Sequence, residues 1–363
     1  MKALILVGGY GTRLRPLTFS VPKPLVPFAN LPISLHQILA LIKVGVKKII
    51  LAVNVQPKAL IEFCDFVSKK YNIEVIVSQE NIPMGTAGPL SLAKEHLLAD
   101  NEEFFMFNSD VICDFPLEKM LKFHRSHGGE GTILVTQVKD PSKYGVVVSD
   151  ESTGQIQRFV EKPQIFVGDK INAGIYLFNT SVLSRIEPRP MSIEREVFPQ
   201  IAADSKLYCQ VLAGYWMDIG QPKDFLSGQV LHLEYINKHL TKEENKLATG
   251  ENIIGNVLIH PSAKIGANVK LGPDVVIGEN CQIDDGARII RSCLLENSRV
   301  NSSAIINSSI IGWSSTVGSH SHVNDSVLGE DVQIAKEIVV NGLIVCPHKG
   351  VSASEFTPGK ILI

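Results

Sequence analysis

The sequence predicts an α/β chain in two parts: an open sheet, parallel at first and mixed further on, and a parallel β-helix behind it. Three observations predict this. The chain opens on an apolar strand, Ala3 to Val7, that leaves directly into a glycine-rich loop. Apolar runs then alternate with stretches of helical periodicity as far as His127. From Ile259 onward an aliphatic residue returns every sixth position. Strands alternating with helices argue a sheet whose ligands lie beyond the carboxyl ends of its strands. A six-residue beat argues coils stacked on a shared aliphatic ladder.

Each element follows in order. Residues 33–44 read as a helix and Lys48 to Val53 as a second buried strand. Residues 59–71 are helix-like, 73–77 a strand, and 89–98 a single helix with proline near its start, where helices accept it. A strand over 103–107 and a helix over 117–127 complete the alternation. From Thr132 the texture turns to strands, over 132–138, 145–148, 156–162 and 174–178, expected as a mixed extension of the sheet. Residues 224–237 read as a helix and 238–250 as a polar linker. The expected division is 1–235, a linker over 236–250, and 251–363.

The repeat runs through Ile259, Ile265, Leu271, Ile277, Ile283, Ile289 and Leu295, with small or β-branched residues four positions after the first six. After a slip the beat resumes at Ile305, Ile311, Val317 and Val323. His260, His320 and His322 fall among turn residues of this region and read as surface side chains.

The 363 residues are 45% apolar with a formal net charge of −2, which gives no polyelectrolyte signature and argues against a nucleic-acid or membrane-surface partner. Six scattered cysteines without a C-x-x-C read as reduced thiols rather than a disulfide or zinc framework. The chain starts on a core strand with no signal-type leader, so the cytosol is the expected compartment.

Chemistry concentrates in Gly8-Gly9-Tyr10-Gly11-Thr12-Arg13-Leu14-Arg15-Pro16-Leu17-Thr18. Glycines let the backbone approach a ligand and expose N–H groups to an anion, and arginines add forked positive charge. The loop departs from both familiar phosphate cradles. No Lys-Ser or Lys-Thr follows it, and Leu14 stands where a dinucleotide fingerprint needs its third glycine. Further on, Pro22 and Pro24 hold Lys23 in an extended segment.

This compound motif, G-G-x-G-T-R-L-x-P-L-T followed by P-K-P-L-V-P, resembles the sugar-phosphate nucleotidylyltransferases, most closely the mannose-1-phosphate guanylyltransferases of eukaryotic beta-subunit type. The resemblance spans essentially the whole chain. It implies a Rossmann-like catalytic domain, a left-handed β-helix, and transfer of GMP from GTP to mannose 1-phosphate, giving GDP-mannose and pyrophosphate with Mg²⁺ as cofactor. The implied catalytic residues are Arg13, Lys23, Asp110, Lys162 and Asp218, with Asp110 and Asp218 holding the metal. The implied nucleotide site comprises Leu6, Gly8, Gly9, Gly11, Thr12, Arg13, Glu80, Gly85, Thr86, Asn108 and Asp110. The implied sugar-phosphate site comprises Gly145, Glu161, Lys162, Asn172 and Asp218.

An acceptor such as Glu80 suits guanine, which offers N1–H and N2–H₂ as donors. The choice of base rests mainly on the resemblance, so another pair such as glucose 1-phosphate with ATP or UTP stays open, as does a non-catalytic regulatory subunit. The resemblance further implies self-association through the β-helix and a paralogous partner subunit.

Overall fold

The computed structural model describes residues 1–9, 11–55, 57–241 and 243–363. Tyr10 of the glycine loop and Lys242 of the expected linker lie outside the described residues. The chain resolves into two compact units, one of Met1–Gly9 and Ser34–Trp216, the other of Tyr10–Ile33 and Met217–Ile363.

The first unit is built on a nine-stranded mixed sheet. Its strands are β1 (Lys2–Leu6), β2 (Lys48–Val53), β3 (Glu74–Gln79), β4 (Phe104–Asn108), β5 (Gly131–Gln137), β6 (Gly145–Ser149), β7 (Ile156–Glu161), β8 (Lys170–Phe178) and β9 (Leu207–Val211). The main order is β7-β6-β8-β4-β1-β2-β3, with β5 pairing β8 and β9. The four strands β4-β1-β2-β3 are parallel, and β8 closes their flank antiparallel to β4. The N-terminal apolar run is thus an interior strand, hydrogen-bonded on both sides, and Ala3, Leu4 and Ile5 have no exposed surface.

Helices α1 (Ile33–Lys43), α2 (Lys58–Tyr71), α3 (Gly88–Leu92), α4 (Lys94–Leu98), α5 (Leu117–His127) and α6 (Phe198–Ala203) accompany this sheet. In α2 the buried residues Leu60, Cys64 and Val67 recur at helical spacing, and Asn72, φ 52°, ends the helix as a left-handed cap. An aromatic group of Phe104, Tyr176, Phe178, Phe198 and Phe159 fills the core beneath β4, β7 and β8.

The single helix expected over 89–98 is two helices. Ala93 lies between them at φ −85°, ψ 3°, outside regular helix geometry. The break was invisible in the sequence because Leu90, Ala93 and Leu97 are all buried and keep the helical spacing across it.

The second unit holds helix α7 (Pro222–His239) and a left-handed parallel β-helix of three sheets with seven, six and five strands. Helix α7 begins earlier and ends later than the sequence suggested, starting on proline at its first position. A hairpin of Pro27–Phe28 and Leu31–Pro32 turns through Ala29 and Asn30, both at positive φ. Asn30 Nδ2 donates to the Ile277 carbonyl at 2.9 Å, and Phe28 meets Phe225 of α7 edge-on.

The aliphatic ladder corrects the expected phase. Ile259 pairs with Ile277, eighteen residues on, but Ile277 pairs with Leu294 and Leu294 with Ile311, each seventeen residues on. The ladder therefore runs through Leu294 and Ile306, not the expected Leu295 and Ile305. One corner of each later coil is five residues long. Buried serines occupy that corner: Ser292 Oγ donates to the Ile290 carbonyl at 2.6 Å and accepts the Ser309 N–H at 3.1 Å. Ser309 does the same for Ser326, which bonds Leu343.

Each hydroxyl closes its own corner and satisfies the coil above. Ser309→Ala leaves the buried Ser326 N–H without its partner and is expected to cost about 1–3 kcal/mol, read as a lower urea midpoint. An unchanged midpoint contradicts this bridging role.

Candidate functional site

In the first unit, candidate residues gather at the carboxyl ends of the parallel strands. Register places Leu6, the last residue of β1, beside Ala52 and Asn108, and the Val7 N–H donates to the Ala52 carbonyl at 2.8 Å. The chain leaves β1 at Gly8, where an added Cβ would lie 3.0 Å from Asn54 Oδ1 and 4.0 Å from Glu80 Oε1. Gly9 follows at φ +96°, a conformation glycine alone enters freely, with open space beside it.

Glu80 is buried, and its Oε2 accepts the Met84 N–H at 2.8 Å. Its Oε1 stays on the Gly8 side, as does the buried Asn54 Oδ1, which has no hydrogen-bond partner among the described residues. Two acceptors that both face Gly8 suit a ligand edge that carries donors.

The loop after Glu80 is clamped from below. Met191 accepts the Ala87 N–H at 2.9 Å and donates to the Met84 carbonyl at 3.0 Å. Gly85, φ +72°, passes so close that a Cβ there would stand 2.5 Å from the Met191 carbonyl oxygen. The Thr86 hydroxyl donates to Glu194 Oε2 at 2.6 Å and accepts the Ile193 N–H at 2.9 Å. Thr86 thus has its hydroxyl engaged in fixing the loop. Gln37 Nε2 bonds the carbonyls of Asn108 and Val111 at 2.8 and 3.0 Å, holding the turn that presents the half-buried Asp110.

A second group lies on β6, β7 and β8. Gly145 pairs with Glu161 across β6 and β7, and a Cβ on Gly145 would meet Phe159 Cζ at 2.5 Å and Glu161 Oε2 at 2.9 Å. Glycine is required there first to clear the Phe159 ring and then the carboxylate. Lys162, φ 47°, follows with its N–H bonded to the Tyr144 carbonyl and its Nζ 3.6 Å from Glu161 Oε1. On β8 the register shifts between Asn172 and Tyr176. Asn172 Oδ1 accepts the Gly174 N–H at 2.9 Å, and its Nδ2 donates to the Tyr176 hydroxyl at 2.8 Å. This irregularity turns the amide out of the ladder. Trp216 Nε1 donates to the Ala173 carbonyl at 2.9 Å, which braces the same bend.

Burial first, and the nearby Glu194 second, raise the Glu161 carboxyl above the usual 4.5. A raised folded-state pKa means the native state holds the proton more tightly, so its contribution is full below the unfolded pKa and lost as pH rises through the folded one. Glu161→Gln is therefore expected to raise Tm at pH 7–8, with the gain vanishing below pH 4.5. A gain equal at both pH values contradicts this cause.

In the second unit, Gly11, φ 60°, opens a short helical turn over Thr12–Leu14. A Cβ on Gly11 would meet Thr18 Cγ2 at 2.9 Å and Lys23 Cβ at 3.2 Å, and Thr18 Oγ1 donates to the Gly11 carbonyl at 2.7 Å. The glycine turn thus lies against the Lys23 segment. Arg13 Nη1 stands 3.6 Å from Asp218 Oδ2, and Asp218 Oδ1 accepts the Gly220 N–H at 2.9 Å. A Cβ on Gly220 would lie 2.9 Å from Arg13 Nη2, so the glycine clears a seat for the guanidinium.

The expected residues divide between the units. Leu6, Gly8, Gly9, Glu80, Gly85, Thr86, Asn108, Asp110, Gly145, Glu161, Lys162 and Asn172 belong to the first, and Gly11, Thr12, Arg13, Lys23 and Asp218 to the second. Sequence reasoning missed Asn54, Tyr176, Glu194 and Gly220. Only the last had a signal, the glycine two positions after Asp218. Glu194 bears on Thr86, Ser192 and Glu161 from more than thirty positions after Glu161, and no motif marks it.

Each unit thus carries its own part: a glycine turn bearing Arg13 against Asp218 in the second, a pattern suited to phosphate oxygens, and acceptors and carboxylates at the ends of a parallel sheet in the first. A family model described as nucleotidyl transferase matches residues 2–234, and the chain belongs to that family. The fold agrees with a solved structure of a putative glucose-1-phosphate thymidylyltransferase from Bacillus anthracis, TM-score 0.59 at 20% identity, covering 68% of this chain and 99% of that one.

Within the family, the chain belongs to the mannose-1-phosphate guanylyltransferases. It is 54% identical to the catalytic subunit beta of Dictyostelium discoideum and 54% identical to the enzyme of Schizosaccharomyces pombe, covering 100% of both chains in each case. A second family model, the GMPPB C-terminal domain, matches residues 253–361.

Proposed function

We propose that the chain transfers GMP from GTP to mannose 1-phosphate, releasing pyrophosphate and forming GDP-mannose. Its full-length likeness to the mannose-1-phosphate guanylyltransferases supports the substrates. The observation within the site that carries the reading is the pair of acceptors, Glu80 Oε1 and Asn54 Oδ1, beside the bare backbone of Gly8. Guanine presents N1–H and N2–H₂ together. Adenine offers an acceptor at N1 and leaves a buried carboxylate unpaid for its desolvation.

A phosphate oxygen of mannose 1-phosphate attacks the α-phosphorus of GTP, a new P–O bond forms, and the bond to the β-phosphate breaks as pyrophosphate leaves. The protein contributes position and charge. Arg13 and Lys23 bind the β- and γ-phosphates, and Lys162 binds the sugar phosphate. Glu161 and Asn172 hold sugar hydroxyls, with Gly145 keeping the space that Glu161 occupies.

Asp110 and Asp218 are the carboxylates that would hold a divalent cation, a pairing that the likeness to the family supports. Mg²⁺ takes one or two carboxylates and completes its shell with water and phosphate oxygens. Among the described residues no group of three or more His, Cys, Asp or Glu is placed to hold a metal without a substrate. When bound, the cation neutralises charge on the triphosphate.

We assign catalysis to 1–235 and read 236–250 as a link to the β-helix of 251–363, which is a surface for self-association or for a paralogous subunit. Among the described residues no helix is long and apolar enough to cross a membrane, and all six cysteines are free. The free thiols support action in the cytosol. Pyrophosphate release by the purified chain, measured with GTP, ATP, UTP and CTP against mannose 1-phosphate and glucose 1-phosphate, tests the reaction. GTP with mannose 1-phosphate is expected to be fastest. Equal or faster release with another pair overturns the assignment, and no release with any pair favours a regulatory subunit.

A further inference from the structure

Helix α7 is fastened to the β-helix at its middle. Gln229 Nε2 donates to the carbonyls of Asp274 and Ser292 at 3.3 and 3.2 Å. The first two turns of the helix are not filled in this way. Opposite them runs the five-residue corner of each coil, whose left-handed residue recurs as Arg291, Ser308, Asp325, Gly342 and Gly359. Four of these five side chains are short or absent. Between the column and the helix lies a cavity of about 740 Å³, in the range of small-molecule sites.

Its lining is divided by chemistry. Leu226 and Val230 of α7 face Val327 and Ile344 of the β-helix as an aliphatic wall. Arg13, Arg15, Lys223 and Arg291 supply four cations against the single carboxylate of Asp325. These cations come from three separate segments, and arginine forks match phosphate oxygens. Arg15 sits two residues from Arg13, whose guanidinium stands 3.6 Å from Asp218.

We propose that this cavity is a second ligand site, for an organic phosphate monoester, and that its occupancy alters turnover through the loop of Arg13. The phosphate meets Lys223, Arg291 and Arg15, and the carbon body lies on the aliphatic wall. The effect on turnover rests on the reaction proposed above, whereas binding does not.

The test uses the full chain saturated with GDP-mannose, which occupies the nucleotide and sugar positions, and phenyl phosphate as the probe in calorimetry. One site is expected, binding phenyl phosphate at least tenfold more tightly than inorganic phosphate, because only the former covers the aliphatic wall. A Lys223→Gln, Arg291→Gln double variant is expected to lose at least tenfold in that affinity while keeping its turnover without probe. No binding by the saturated chain, or unchanged affinity in the double variant, overturns the site. Phenyl phosphate that binds but leaves the KM for GTP and kcat unmoved overturns the coupling to Arg13.

Discussion

Asp218→Asn and Asp110→Asn are each expected to lower kcat by a factor of about 10² to 10³ or more, the scale of losing one fixed electrostatic contact to a transition state. Asparagine keeps an oxygen at nearly the same place and removes only the charge. At position 218 the remaining oxygen still accepts the Gly220 N–H, so the turn keeps its 2.9 Å hydrogen bond. Arg13, 3.6 Å away, loses an anionic neighbour, and the cation proposed to bind here would lose a carboxylate. The side chain is 21% exposed and its ion-pair partner Arg13 is 57% exposed, so losing that ion pair costs folding little. The measurement is steady-state turnover beside a urea unfolding curve. Turnover within threefold of the parent in either variant rejects that residue as a metal ligand.

Glu80→Gln is expected to lower kcat/KM for GTP by about 10²-fold, within the range seen when a site built for hydrogen bonds loses its complement. The buried carboxylate spends Oε2 on the Met84 N–H at 2.8 Å, and the glutamine oxygen can take over that bond. The amide nitrogen then faces Gly8 and presents donors to a base edge that also carries donors. The loop itself is held independently through Met191 and Thr86, so the loss falls on recognition rather than on stability. The expected pattern is a large rise in KM for GTP with a unfolding midpoint close to the parent. An equal loss with GTP and ATP contradicts a role in reading the base.

Much of this organisation was legible in the residues. The run Ala3 to Val7 announced an interior strand because only a strand buried on both faces carries so unbroken an apolar stretch, and β1 is paired on both sides. The beat from Ile259 was legible because each coil must bury one aliphatic residue per side. Its exact phase was not. Leu294 and Leu295 are both apolar and both buried, and the choice of Leu294 goes with the shorter corner that the Ser292 hydroxyl closes, marked in the sequence only by serine returning at 309 and 326. The break at Ala93 was hidden for a related reason, since a change of helix axis need not disturb the spacing of buried residues.

The candidate site was legible where a motif carries its own chemistry, as in the glycine turn of Arg13 or the Asp218–Gly220 turn. It was illegible where distant segments cooperate. Glu194 takes the Thr86 hydroxyl and raises the Glu161 carboxyl, and neither relation is written in local spacing. Asn54 becomes notable only once folding sets its unbonded oxygen beside Gly8 and Glu80.

The claim on which the rest depends is attack at the α-phosphorus, and the position of a radiolabel tests it most directly. With α-³²P-labelled GTP and mannose 1-phosphate, the label is expected in GDP-mannose; with γ-³²P-labelled GTP it is expected only in pyrophosphate. Label from the γ-position in the sugar product, or α-label recovered only as free GMP or GDP, contradicts nucleotidyl transfer by this chain.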